Sequence, residues 1–303
     1  MSSKKIKANR IKSSWGDKIF DTFNILFMIF LAVICVYPFY YVTIGSLSDS
    51  YLLMAHRGLL FKPLGFNIDA YKYAFREPLL LSSYLNTIYI VIVGTTINLL
   101  MTIVCSYVLS KKYLLWKSVI MKIITVTMFF SGGMIPVYLT VTGYGLGDSL
   151  WALILPGALS THNMLVTRTA FANIPDSLEE SAKLDGAGHW RIMIQIFLPL
   201  IKPTLAVITL YYVVAHWNSW FSAAIYIRDR AKYPLQLVLR NILIDGDMTS
   251  MTAGVVGLDE DMAAISDTIK YAITMISTLP ILLVYPFVQK YFVKGVMLGA
   301  IKG

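Results

Sequence analysis

Apolar residues in this 303-residue chain fall in long blocks, with the polar residues gathered between them. Six blocks are long enough to cross a bilayer as helices: about Ile19–Ile44, Tyr84–Ser110, Ser118–Val141, Leu150–Phe171, Pro203–Ile227 and Thr268–Phe292. Roughly 20 apolar residues span the ~30 Å hydrocarbon layer of a membrane. The fourth block is the weakest, because the polar run "STHNM" interrupts it. Gly132, Gly133 and Pro136 predict a bend in the third, a feature suited to a gate. The long segments near Ser46–Ser83 and Arg228–Asp267 contain the apolar patches "YLLMAHRGLLF" and "YPLQLVLRNILI", which predict folded caps. The second of them also carries the acidic run "LDEDM". Gly143, Gly145 and Gly147 in "TGYGLGDS" follow no strand, so they read as a turn and not as a dinucleotide fingerprint.

Composition agrees with the blocks. The chain is 57% hydrophobic and 14% charged, where a soluble domain carries about 25% charged residues. Its net charge of +9 has no basic, aromatic-interleaved soluble segment behind it, so nucleic acid is not the expected partner. Seventeen of the 26 Lys and Arg residues lie in the tails and in the short loops on one side of the six blocks. The positive-inside rule puts that side in the cytoplasm, with both termini. The start "MSSKKIKANRIKSSWGDKIF" is basic, but the apolar run after it is too long for a signal-peptide core and lacks a cleavage site. A retained first helix is expected. Cys35 and Cys105 sit in different apolar blocks and read as small packing residues. The four histidines are scattered, so no metal set is expected.

The stretch "LEESAKLDGAGHWRIMIQIFLPLIKP", Leu178–Pro203, breaks the apolar pattern on the cytoplasmic side. Pro175 ends what precedes it, and Ser177 with Glu180 forms a capping-box pattern. Glu179 and Glu180 suit the positive end of a helix running to about Leu184. Asp185 and Gly186 predict a stop, with Gly186 left-handed. The run "HWRIMIQIFL" predicts a second amphipathic helix, closed by Pro199. The product is a helix–turn–helix knob facing another protein.

At these positions the sequence resembles the ABC importer permeases, whose motif reads E-A-A-x3-G-x9-I-x-L-P. Glu180, Ser181, Ala182, Gly186, Ile196, Leu198 and Pro199 fit it, and serine in place of the first alanine is the only departure. The wording "EESAKLDGA", with "FFSGGMIPVYL", "WNSWFSA" and the tail "QKYFVKGVMLGAIKG", is similar to the carbohydrate-uptake branch for complex oligosaccharides. The resemblance implies an all-α membrane protein. It would have six transmembrane helices over 19–293, a coupling segment at 175–200, and cytoplasmic tails at 1–18 and 294–303. It implies that Glu180, Ala182, Asp185 and Gly186 meet a cytoplasmic ATPase, which would hold the ATP and magnesium. It also implies a homologous second permease, an extracellular solute-binding protein and residence in a bacterial cell membrane.

The chemistry of the chain itself is consistent with that expectation. No G-x4-G-K-[ST] loop is present to cradle ATP. No acid lies deep in any block, which argues against the alternative of an ion-coupled secondary transporter. No nucleophile–base pair or carboxylate dyad suggests an enzyme. A permease for another small polar solute is the nearer alternative. Neutral sugars need neutral hydrogen-bond partners and aromatic faces. Trp217, Asn218 and Phe221 in the fifth block, with Ser131 and Tyr138 in the third, are the expected path residues. Trp217, Trp220 and Phe221 would share one helix face. His162 and Asn163 are expected to hydrogen-bond between helices.

Overall fold

The computed structural model describes residues 14–76, 78–245 and 267–283. The tail 1–13, the run "LDEDM", and the end of the sixth block with the C-terminal tail lie outside the described residues. Among the described residues there is no strand, only an isolated antiparallel bridge between Ser48 and Phe66.

Among the described residues, two helices are long and apolar enough to cross a bilayer: α1 (Trp15–Ser46) and the stretch Leu79–Ser110 of α4 (Pro78–Ser110). Two bent pairs bring the candidates to four. In the first, α5 (Lys117–Phe129) meets α6 (Met134–Gly143) at 111°. In the second, α10 (His189–Leu200) meets α11 (Lys202–Trp217) at 86°. Gly133 at the first break has φ +87°, so the expected bend is a full interruption. The fourth block divides into α7 (Trp151–Ile154), a 3₁₀ turn at Leu155–Gly157, and α8 (Thr161–Ala172), which Ser160 caps. The break lies before the polar run, which caps and opens α8 instead of interrupting a helix. The expected caps contain α2 (Ser50–Ala55) and α3 (Asp69–Arg76) in one segment and α13 (Leu235–Arg240) in the other.

The fifth block differs from the expectation. α11 stops at Trp217, and α12 (Phe221–Tyr226) begins after a short break. Asn218 N–H donates to Val214 O at 3.0 Å and Ser219 N–H to His216 O at 3.2 Å, closing α11. Trp217 and Phe221 therefore do not share a continuous helix face; Trp220 and Phe221 pack edge-to-face instead.

α4 is the central element, packed against both α8 and α11. Gly94, Asn98, Thr102 and Ser106 recur every fourth position along one of its faces. Asn98 donates to Gly157 O at 2.6 Å and lies 2.6 Å from His216 Nε2. Thr102 pairs with Tyr212 at 2.7 Å, and Ser106 donates to Met164 O at 2.8 Å. Small polar side chains with satisfied hydrogen bonds let helices approach closely where no hydrophobic effect drives them together. His162 is exposed and Asn163 is buried, its backbone N–H bonded to Ser160 Oγ and its carbonyl to Thr167 Oγ1; the interhelical side-chain link seen here is that of Asn98. α1 stands apart: its apolar window has no buried residue. It is tied on near its end, where Leu60 N–H donates to Tyr37 Oη and Ser46 pairs with Tyr71.

On another face of the bundle, Asp148 (φ +55°) accepts from the backbone N–H groups of Arg228 and Asp229 and pairs with Lys232 at 3.1 Å. Those two amides, then Lys232, hold its carboxyl down at about 2. This contact ties the glycine-rich turn to the segment after α12, where a long loop begins. A helix over 267–283, α14, closes the cluster formed by α3, α4, Trp217 and α13.

Candidate functional site

The polar stretch folds as a hairpin. α9 (Asp176–Leu184) and α10 are joined by a turn at Asp185–Gly188. The expected capping box is absent. Pro175, in the extended region, is the N-cap with no side-chain hydrogen bond, so Ser177 falls inside the helix. Because the helix starts two residues earlier than the capping box implies, its first-turn acids are Asp176 and Glu179. The stop is as expected. Gly186 has φ +78°; its N–H bonds Lys183 O at 3.0 Å, and Ala187 N–H bonds Ala182 O at 2.9 Å. That pair is a Schellman motif. In α10 a π turn over Ile192–Phe197 lets Pro199 follow without its ring meeting a regular helical turn.

The motif residues divide between two faces. Ala182 is buried with Tyr107, Phe171, Ile192, Met193, Phe197 and Ile201, and half-buried Ile196 and Leu198 pack on that cluster. Glu180, Ser181, Asp185, Gly186 and Pro199 are exposed. Leu184, at 90% exposure, projects beside them. The hairpin thus has an apolar root and a polar tip that carries the turn.

One buried contact was not read from the sequence. Lys111, just past the end of α4, pairs with Glu179 at 2.7 Å, with side-chain exposures of 7% and 12%. Its ammonium lies 3.9 Å from the Tyr107 ring centre and 4.3 Å from that of Phe197. Glu179 also pairs with Lys183 at 2.8 Å. Desolvation pushes the Glu179 carboxyl up, but hydrogen bonds from Lys111 and Lys183 outweigh it and hold it below the usual carboxylate range. Desolvation lowers Lys111 against the pull of Glu179. Asp176 pairs with Lys112, both exposed. A lysine counted as loop charge and a glutamate counted as a helix-end charge form the anchor; no local spacing rule links positions so far apart.

The expected path residues are dispersed. Trp217 is buried, donates its indole N–H to Ser277 O at 3.2 Å and packs edge-on to Tyr84. Asn218 is exposed at the end of α11, and its amide has no partner among the described residues. Both line an apolar cavity of about 590 Å³ with Val91, Tyr211 and Ile281. Phe221 is exposed on α12. Ser131 lies in the α5–α6 break, where its Oγ accepts from Gly133 N–H at 3.2 Å. Tyr138 stacks on Tyr226, 5.9 Å apart and 8° from parallel. The structure brings Trp217 and Asn218 to one cavity and leaves the other three elsewhere. Among the described residues, no group of His, Cys, Asp and Glu could hold a metal.

Long apolar helices, broken spans and a polar hairpin rooted on the central helix define a helical membrane protein. The chain belongs to the family of binding-protein-dependent transport system inner membrane components, whose profile matches residues 6–298. It is 39% identical over 292 residues to the polygalacturonan/rhamnogalacturonan transport system permease protein YtcP of Bacillus subtilis, covering 95% of this chain and 99% of that one. It is 41% identical over 288 residues to protein LplC of the same organism, covering 95% and 96%. Among solved structures it is similar to a chain of a bacterial ABC transporter involved in import of the acidic polysaccharide alginate. There the TM-score is 0.85 at 31% identity, over 93% of this chain and 100% of that one.

Proposed function

We propose that this chain is one of two permease subunits of an ATP-driven importer that carries oligosaccharides derived from larger polysaccharides. The observation that carries the reading is the near full-length similarity to YtcP, whose name specifies polygalacturonan and rhamnogalacturonan transport. The alginate importer supports the same substrate class. Six transmembrane helices within 19–293 form the permease, with the tails 1–18 and 294–303 and the 175–200 hairpin in the cytoplasm. ATP hydrolysis takes place on partner ATPase subunits. The exposed tip of the hairpin, Glu180, Ser181, Asp185 and Gly186, docks on them, while Ala182, Ile196 and Leu198 form its apolar root and Pro199 lies exposed near the end of α10. An extracellular binding protein delivers the sugar to the opposite face. Co-purification of the chain with its neighbouring gene products, followed by ATP-dependent uptake of galacturonan oligomers into proteoliposomes, tests the reading. A complex without ATPase subunits, or without saccharide uptake, would refute it.

Orientation has its own test. In a background lacking Cys35 and Cys105, a cysteine at Ser250 should react with an impermeant thiol reagent in intact cells. A cysteine at Ser3 should react only after permeabilisation. The reverse pattern would put the hairpin outside the cell and end the docking role.

For the sugar path we assign Asn218 as a lining group of the apolar cavity and Trp217 as its wall, with Phe221, Ser131 and Tyr138, which lie outside that cavity, as lining groups of other stretches of the path. An amide both donates to and accepts from a sugar hydroxyl. One such hydrogen bond is worth about 0.5–1.5 kcal/mol. Asn218→Ala should therefore lower transport per assembled complex by about two- to tenfold, with assembly unchanged. Trp217→Ala should lower the yield of complex as well, because its indole packs against Tyr84 and α14. Uptake normalised to reconstituted complex separates the two, and normal uptake by Asn218→Ala would remove it from the path.

A further inference from the structure

We infer that Lys111 and Glu179 form the mechanical link that carries movement of the α9–α10 hairpin into α4. The inference rests on the docking role given to the hairpin above. It goes beyond that role by naming positioning residues that lie behind the docking tip.

Lys111 is placed to hold both arms of the hairpin at once. It meets α9 through the Glu179 carboxylate at 2.7 Å, and α10 through the face of Phe197. Its own chain belongs to the end of α4, and Tyr107 in the last turns of that helix supplies the second ring. The Tyr107 hydroxyl donates to His189 O at 3.2 Å, a further tie from α4 to α10. Tyr107, Phe171 and Phe197 pack mutually with centroids 5.7–6.1 Å apart. A cation enclosed by ring faces and one carboxylate has few alternative arrangements, so it transmits displacement instead of absorbing it.

The neighbouring contacts are poor substitutes. Lys112–Asp176 is solvent-exposed, and pairs of that kind contribute little. Lys183–Glu179 lies within α9 and ties the hairpin only to itself. Beyond Lys111, α4 runs to Ser106, Thr102 and Asn98, which bond to α8, to α11 and to the turn before α8. A push on the hairpin root is thereby delivered to the helices that surround α4.

The intact importer complex is the test object, with Lys111→Met, Glu179→Gln and Lys111→Arg compared. The docking tip is unaltered in all three, so ATPase subunits should still co-purify. Sugar transported per ATP hydrolysed should fall at least about tenfold for Lys111→Met and for Glu179→Gln: the first removes the cation that joins the two arms to α4, and the second leaves that cation buried without its carboxylate. Lys111→Arg keeps a cation over the rings and should stay within about threefold. The exchange Lys111→Glu with Glu179→Lys should not restore the ratio, since it turns a carboxylate toward two ring faces. An unchanged ratio in the Met and Gln variants overturns the link. So does a parallel loss of complex and transport at constant ratio, which marks a merely structural anchor. Recovery by the exchange overturns the part given to the rings. Gly186→Val separates the two levels. Normal ATPase association and coupling there removes the docking role and the link with it; a defect there beside an unchanged ratio in the Lys111 and Glu179 variants removes the link alone.

Discussion

Gly186→Val should leave the chain inserted in the membrane and abolish productive ATPase coupling. Gly186 sits at φ +78°, and no atom lies within 4 Å of where a Cβ would be. The penalty is therefore a backbone penalty, about 1–3 kcal/mol for a residue held in that region, and larger for a β-branched one. The turn can relieve it only by giving up the two hydrogen bonds that close α9, Gly186 to Lys183 and Ala187 to Ala182. The exposed tip then changes shape while the apolar root stays packed. A graded series sharpens the test. Asparagine tolerates the left-handed region, so Gly186→Asn should retain most function, alanine less and valine least. ATPase co-purification and uptake in proteoliposomes would check the order. Wild-type coupling in the valine variant would show that the turn geometry is irrelevant to docking.

Gly94→Ala should sharply reduce the yield of folded protein, although it adds a single methyl group. A Cβ there would lie 2.6 Å from His216 Nε2 and 2.8 Å from Cε1. The imidazole must move, and moving it breaks the 2.6 Å contact with Asn98. Overpacking costs about 1–3 kcal/mol, and stranding a buried amide oxygen adds about as much again. The temperature of thermal inactivation in detergent should drop markedly. The double variant Gly94→Ala/His216→Ala, which removes the ring as the methyl arrives, should recover the overpacking part of the loss and keep the part due to the stranded Asn98 oxygen. Equal stability of Gly94→Ala and wild type would mean that α4 and α11 do not approach as closely as described.

Much of the architecture was readable from the hydrophobic pattern, because burial in lipid imposes long apolar runs. The first two blocks became α1 and α4, and the glycine stop at Gly186 followed from conformational chemistry that depends on one residue. Where the chain breaks its helices was harder to read. The pattern of apolar residues continues through Asn218 and Ser219, so the end of α11 depends on local hydrogen bonds that hydropathy does not register. The capping box failed because Pro175 had already started the helix one residue upstream of Ser177. The Lys111–Glu179 pair joins positions 68 residues apart, which local spacing rules cannot connect. A different signal was present in the fourfold spacing of Gly94, Asn98, Thr102 and Ser106. A run of small polar residues at helical intervals inside an apolar block marks the face turned to other helices.

The detachment of α1 has a consequence for how mutations in it should be judged. Among the described residues, the ties of α1 to the bundle lie near its final turns, at Tyr37, Tyr40, Tyr41, Thr43 and Ser46. Lipid tails solvate leucine about as well as a protein interior does, so this surface carries no penalty for being bare. What holds the first half of α1 in place is the cost of returning it to water, a property of its average composition and not of any particular side chain. Exchanges of one apolar residue for another between Phe23 and Val36 should therefore be silent. A single arginine there meets the full insertion cost of about 2.5–3.5 kcal/mol. The tolerance of this helix is that of a solute in a solvent, whereas α4 answers to the fit of each neighbour.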